Sequence, residues 1–394
     1  MRAPGVVDFR RQLVADLADG YSVLCLMNDG DPVGLQRQLL DDIHNSGRDY
    51  RIVDLTLDAQ PDDWPVDVLS RQLSLPPARS PTYNLQRFLL EMPLPEIIII
   101  TGLDEAGGTR QRWLRFFADW SQAAHGITSS GGPQPGRLFA LLCPADGEEL
   151  PPNETRLRRR WWWSLPSALE MALLCRLRAT QAGDDIGPRV LWREAILPTI
   201  AGNDPAMLDF LWDEVYQDFD HLLNRLGHYA ALCGWTAQAL RRWGCEEFAR
   251  RRVRPATPDR LDAVGRQLWG TGVLGYTPEY GPMLSSAALV VLGDVEAVRH
   301  RLWHGQASLT LPLLDQFRLD ACRQLAGGAS AAYEDHNFMD WSELIDTLKE
   351  QPAPRPSELL ERVYEARRVR NKLAHYKLIT FQDYSKFTGT TAYP

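Results

Sequence analysis

The chain has 394 residues, enough for two or three domains with cores of ordinary size, and its 13 tryptophans and globular apolar content argue against disorder. A net charge of −8 excludes a protein that coats nucleic acid with its whole surface, so any RNA contact has to be local. The six cysteines (Cys25, Cys143, Cys175, Cys233, Cys245, Cys322) form no C-x-x-C pair and lie away from histidines at ligand spacing, which suggests reduced thiols in a cytoplasm and no metal site.

The first 150 residues alternate helix and strand signals. Val7–Leu17 reads as a helix, Tyr21–Met27 as a buried strand, Leu35–His44 as a helix and Tyr50–Leu57 as a second strand. Two helices, Pro65–Leu73 and Tyr83–Glu91, precede Glu96–Thr101, whose run of isoleucines suits a central parallel strand. Thr109–His125 is a further helix and Arg137–Cys143 a fourth strand, so the pattern is that of a parallel α/β sheet. No apolar run approaches a membrane span and the N-terminus lacks a signal-peptide core, so the expectation is a soluble cytoplasmic protein with no membrane contact.

From Leu165 to about Leu284 the signals are mostly helical: Ser167–Arg178, Val190–Ile200, Pro205–Leu226, Tyr229–Leu240 and Glu246–Arg252. Thr257–Tyr276 reads as a helix followed by a short hairpin, as at the end of a winged-helix unit. Two basic clusters stand out. Arg156, Arg158, Arg159 and Arg160 run into Trp161–Trp163, and Arg250, Arg251, Arg252 and Arg254 end a helix. They fit an RNA-stacking surface, a buried tryptophan cluster with solvated arginines, or helix C-terminal charge that complements the dipole.

The C-terminal quarter is helical again. Val295–Leu325 is expected in two pieces because of Gly305 and Pro312, with His300 and His304 one turn apart at its start. Trp341–Leu348 is a shorter helix. Glu358–Ala374 is free of Gly and Pro, with Ser357 as a plausible N-cap, and Leu359, Val363, Ala366, Leu373 and Ala374 recur on one stripe about 100° wide. The spacing places Arg370 in the middle of that stripe, with Asn371 and His375 on the face beside it. A fixed cation, an amide and an imidazole within one and a half turns are the groups that a metal-free phosphodiester cleavage requires. A structural arginine paired with a carboxylate, beside an exposed histidine, satisfies the same spacing.

Arg370-Asn371-x-x-x-His375 resembles the R-x4-6-H motif of the HEPN superfamily, and the helices before it resemble the small HEPN bundle. The resemblance implies catalytic roles for Arg370 and His375, with Asn371 as polar auxiliary, and RNA contacts from Arg367, Arg368 and Lys372. It also implies metal-independent RNA cleavage without a cofactor, tRNA being one candidate substrate, and a homodimer whose two motifs face one cleft.

The order of elements in the first 150 residues is similar to a P-loop NTPase core of the AAA/STAND type. Ile97–Thr101 followed by Gly102-Leu103-Asp104-Glu105 matches the family's Walker B ending, and Asn28–Gly34 occupies the Walker A position. Phosphate binding there needs glycines, a lysine and a hydroxyl. This loop has Gly30 and Gly34 but neither lysine nor hydroxyl. Pro32 lacks an N–H, Asp29 and Asp31 repel phosphate, and Thr101 stands where the magnesium-side aspartate is expected. The resemblance is therefore to a degenerate domain that does not hydrolyse ATP, in which Asp104 and Glu105 remain as a possible metal or catalytic pair or as solvated acids.

The resulting fold class is α/β plus all-α. It comprises a degenerate P-loop-like parallel-sheet domain over 1–164, a helical or winged-helix-like module over 165–285 and a HEPN-like helical bundle over 286–394. The leading function is a HEPN-type endoribonuclease effector of a toxin or antiphage defence system, restrained by its inactive ATPase-like domain. The alternative is a non-catalytic scaffold that assembles with an active ATPase, nuclease or sensor partner.

Overall fold

A computed structural model describes residues 4–28, 34–58, 63–76, 84–144, 148–153, 155–163, 165–184, 187–251, 257–277, 281–325, 339–350 and 357–388. Along the chain the elements begin with α1 (Pro4–Ala18), β1 (Ser22–Leu26), α2 (Leu35–Asn45), β2 (Tyr50–Asp54), α3 (Leu55–Asp58), α4 (Pro65–Gln72) and α5 (Leu85–Glu91). They continue with β3 (Ile97–Thr101), α6 (Arg110–Ser129), β4 (Arg137–Leu142), β5 (Leu157–Trp161), α7 (Ala168–Gln181), α8 (Pro188–Ala201), α9 (Pro205–Phe210) and α10 (Phe219–Leu232). Next come α11 (Ala237–Arg242), α12 (Cys245–Arg250), α13 (Ala263–Gly270), β6 (Leu274–Thr277), β7 (Gly281–Leu284) and α14 (Ser286–Leu292). The last helices are α15 (Val295–Leu325), α16 (Trp341–Glu350), α17 (Ser357–Ala374) and α18 (Phe381–Thr388). Among the described residues no helix is long and apolar enough to cross a membrane.

Two compact units result, rather than the three domains drawn from sequence. One takes in Met1–Pro166 and Arg241–Met283, the other Ser167–Leu240 and Leu284–Pro394. The expected middle module therefore does not stand by itself, because its helices are divided between two cores.

The first unit is built on a parallel sheet of order β2-β3-β4-β1-β5. Ile97–Ile100 are buried, as befits a strand covered on both faces. The edge strand β2 is blunted by Gln72, whose side chain donates to the Asp54 carbonyl and accepts from the Asp54 N–H at 2.8 and 2.9 Å. The Arg/Trp run forms the fifth strand, which the sequence reading left out. Arg160 pairs with Asp16 at 2.6 and 2.8 Å, and Arg158 lies over the Tyr21 ring at 4.0 Å. Arg159 pairs with Asp259, while Trp161 meets Trp269, Trp162 meets Phe9 and Trp163 meets Tyr276. This cluster is structural. So is Arg251, held by Glu247 and Asp262, whereas Arg252 and Arg254 lie outside the described residues.

In the second unit the helix expected over 205–226 is interrupted between α9 and α10. Asp218 caps α10 by accepting from the His221 N–H, and the break is held by α8. There Trp192 donates to the Val215 carbonyl, and buried Arg193 bonds the Trp212 carbonyl and Asp213. Conversely α15 is one helix, not two. Pro312 is exposed, and so is Ser308, the residue whose carbonyl the missing N–H leaves without its usual helical donor. Gly305 is not a break but a close approach. A Cβ there would lie 2.7 Å from the Ala195 carbonyl oxygen and 2.9 Å from Thr199 Oγ1 on α8. α17 packs on α15 and α16, where Val363 joins Ala321, Cys322, Leu344, Ile345 and Leu348 in one apolar cluster.

We expect Gly305→Ala to separate α15 from α8 and to cost about 1–3 kcal/mol of stability, the usual cost of overpacking. A lowered thermal midpoint with an unchanged circular dichroism spectrum at low temperature is the checking measurement. An unchanged midpoint would contradict the close approach.

Candidate functional site

The site is organised by the way α17 ends. The last described helical residue is Ala374, followed by His375, whose N–H still bonds the Asn371 and Lys372 carbonyls. Tyr376 then turns left-handed at φ +56°, its N–H on the Leu373 carbonyl, and the Lys377 N–H returns to the Lys372 carbonyl. This is a Schellman stop, where glycine is usual because a Cβ in that conformation costs about 1–2 kcal/mol. The Trp303 indole N–H on α15 donates to the same Leu373 carbonyl at 2.8 Å and its ring lies 4.6 Å from that of Tyr376. Beyond the turn, buried Gln306 exchanges both hydrogen bonds with the Ile379 backbone, at 2.8 and 2.9 Å.

The turn brings Tyr364, Arg367, Arg368, Asn371, Lys372, His375 and Lys377 around an open groove of about 400 Å³. The residues that the sequence singled out, Arg367, Arg368, Asn371, Lys372 and His375, therefore share one lining. Arg370 does not line it. The buried stripe runs through Val363, Ala366, Val369 and Leu373, with Leu359 half-buried and Ala374 exposed. Val369, three residues after Ala366, takes the place that the spacing gave to Arg370, which therefore sits at the edge of the stripe and is exposed. Its Nη1 makes a long hydrogen bond, 3.4 Å, to Asn371 Oδ1, so Asn371 connects Arg370 to the groove. Among the described residues Arg370 has no carboxylate partner, which removes the reading of a buried, paired structural arginine.

Asp383, on α18, is the acid that the sequence reading missed. Thr380-x-x-Asp383 is a capping box: the Thr380 N–H donates to Asp383 Oδ2 and the Asp383 N–H to Thr380 Oγ1, at 3.1 and 3.0 Å. The same carboxylate accepts from Arg368 Nη2 at 3.0 Å and Lys372 Nζ at 2.9 Å. Burial pushes its pKa up, but the Lys372 hydrogen bond and the Thr380 N–H outweigh burial and the net shift is downward. Arg368 also pairs with Glu365, and Arg367 donates to the Ser342 hydroxyl. Two groove cations are thus balanced by carboxylates, while Arg367 bonds the neutral Ser342 hydroxyl and its charge helps to lower the Asp340 pKa.

The second candidate site lies at the C-terminal ends of β3 and β4, where open parallel sheets bind ligands. A cavity of about 180 Å³ is bounded there by Gln36, Leu40, Thr101–Glu105, Phe139 and Leu141, below the ~300 Å³ at the small end of ligand pockets. Gly34 precedes α2 at φ +75°, whereas Gly30 and Pro32 lie outside the described residues. Thr101 ends β3. Gly102 is left-handed at φ +73°, and a Cβ on it would meet Thr56 Cγ2 at 2.6 Å, so the turn requires glycine. Asp104 accepts from Arg110 at 2.9 Å and from the Cys143 N–H at 3.0 Å. Partial burial nevertheless raises its pKa above the usual carboxylate value. Arg110 is also gripped by Glu148 through two bonds. Asp104 and Glu105 do not form a pair of free acids: Asp104 belongs to this network and Glu105 is exposed in the following turn.

No family model, curated protein or solved structure matches the chain.

The depressed Asp383 pKa fixes the sign of a pH effect. A carboxyl group whose folded pKa is lowered stabilises fully above its unfolded value of about 3.9 and loses that contribution as pH falls through the folded value. The difference in melting temperature between wild type and Asp383→Asn is expected to be flat above about pH 4 and to shrink below it. A difference that grows on acidification would refute the ion-pair account.

Proposed function

We propose that the second unit is a metal-independent endoribonuclease acting at the end of α17. One observation carries the reading: Asn371 and His375 stand in an open groove with Arg367, Arg368, Lys372 and Lys377, in a chain whose net charge is −8. A local cationic groove in an acidic protein suits a short stretch of phosphodiester backbone. An exposed arginine without a carboxylate partner among the described residues, reaching Asn371 from the adjacent flank, adds transition-state charge.

The chemistry needs only groups that these side chains supply. The RNA 2′-oxygen attacks the neighbouring phosphorus, the P–O2′ bond forms as the P–O5′ bond breaks, and the products carry a 2′,3′-cyclic phosphate and a 5′-hydroxyl. His375 takes the proton of the 2′-hydroxyl while solvent water protonates the departing 5′-oxygen, or His375 protonates the 5′-oxygen while water takes the 2′-hydroxyl proton. Arg370 and the groove cations stabilise the charge on the phosphoryl oxygens and Asn371 orients the groups. The internal nucleophile removes the need for metal-bound water. The first unit is read as an ATPase-like platform that holds or restrains the nuclease, and a role in toxin or antiphage defence is what the resemblance of the Arg370–His375 motif to HEPN effectors implies.

A scaffold role is the second reading, favoured by the Asp104–Arg110–Glu148 network, which occupies the acid that a working nucleotide site would use. The deciding experiment is cleavage of total RNA and tRNA in EDTA. His375→Ala should lower the rate by about 10²–10⁴. Arg370→Ala should lower it by about 10²–10³. Both variants should keep the wild-type melting temperature. No cleavage by the wild type, with or without infected-cell extract, would leave the scaffold reading in its place.

A further inference from the structure

Tyr376 holds a left-handed backbone, φ +56°, at a position where glycine is unstrained, and yet the residue is 65% exposed. A bulky side chain in that conformation is uncommon, and such strain clusters at sites where the side chain has a task. Its ring is not placed at random. It lies against Trp303 with centroids 4.6 Å apart at 40°, and Trp303 lies against exposed His300 at 5.6 Å and 39°. Three rings thus form a row of tilted contacts at the end of α17, anchored by the bond from the Trp303 indole to the Leu373 carbonyl.

The residues on either side of Tyr376, His375 and Lys377, both line the cationic groove. Tyr376 itself is not part of that lining and its ring rests on Trp303, but successive Cα atoms are about 3.8 Å apart, so its backbone borders the groove. Exposed aromatic rings beside cations are the arrangement by which unpaired bases are bound, because every base offers a π-face. A base inside an A-form helix has both faces taken by its neighbours.

We propose that Tyr376, backed by Trp303 and His300, is a stacking platform for an unpaired base next to the phosphate in the α17 groove, which makes single-stranded RNA the substrate of this site. The inference rests on the RNA-cleaving reading of the groove and narrows it to a class of substrate. The Tyr376 ring selects unpaired RNA, and His375 and its neighbours carry out the cleavage.

The test is the affinity of the full-length His375→Ala protein, in EDTA, for a labelled eight-nucleotide single strand, for the same strand with one abasic position at a time, and for the corresponding duplex. Tyr376→Phe should bind the single strand as the parent does. Tyr376→Gly should bind it roughly ten-fold more weakly, in the range of one lost base stack, with duplex binding unmoved. Because glycine relieves the left-handed strain, that variant should keep or exceed the parent melting temperature. One abasic position should reproduce the Tyr376→Gly loss, and the two losses should not add. Unchanged single-strand affinity in Tyr376→Gly, with a lowered melting temperature, would show the ring to be packing for Trp303 alone and would overturn the platform. If the parent protein binds no RNA, or if Arg367→Ala with Lys372→Ala leaves its binding unchanged, the groove reading fails and the platform fails with it.

Discussion

A single hydrogen bond, from the Trp303 indole to the Leu373 carbonyl, joins the packing of the second unit to the geometry of the groove. The last carbonyls of a helix have no partner within it, and an end that frays has no fixed direction. Here the Leu373 and Lys372 carbonyls are taken by Trp303, Tyr376 and Lys377, so the chain leaves α17 along one defined path. Gln306 then captures Ile379, and that placement lets Asp383 reach back to Arg368 and Lys372. Each later contact presupposes the earlier one. His375 is part of the turn itself, so its position is set by backbone hydrogen bonds.

How much of this could be read beforehand depended on the range of the signal. The strands β1 to β4 and the helices α2, α6, α16 and α17 were legible because apolar periodicity and buried runs are local. The groove residues Asn371 and His375 share a face by arithmetic alone, being four apart. The spacing puts Arg370 in mid-stripe because it counts Ala374, which is exposed, and omits Val369, which is buried. The fifth strand is hidden under the label of a basic cluster: Arg158–Arg160 do not look like a half-buried parallel edge strand until Asp16, Tyr21 and Asp259 are seen to receive them. Asp383 had a visible sign, the Thr-x-x-Asp capping box, but its bonds to Arg368 and Lys372 depend on a turn that no spacing rule describes. Gly305 and Pro312 were read as breaks because local propensity does not register that one faces α8 and the other water.

The first unit illustrates how an acidic residue loses its availability. Asp104 sits after the central strand of a parallel sheet, where ligands commonly bind, yet its carboxylate already has a guanidinium and a backbone N–H. Arg110 in turn is shared with Glu148. The carboxylate is half exposed, but its Oδ1 takes both the Arg110 guanidinium and the Cys143 N–H, so a cation arriving there meets an acid that is already paired. Such a network stabilises the end of the sheet at the expense of chemistry there, and it suits a domain whose value is its shape.

The chain passes from one compact unit to the other three times, after Pro166, Leu240 and Met283. Neither core is therefore a continuous stretch that could be cut out and kept. A fragment beginning near residue 286 would carry α15 to α18 without α8, the helix whose backbone Gly305 approaches and whose Trp192 stacks against Phe381 and Tyr384 of α18. The groove thus belongs to a core assembled from two distant parts of the chain. A substitution in α8, almost two hundred residues before Asp383, acts on that carboxylate through the seat of α18. Excising the C-terminal quarter would leave behind the helix that holds the groove's counter-charge in place.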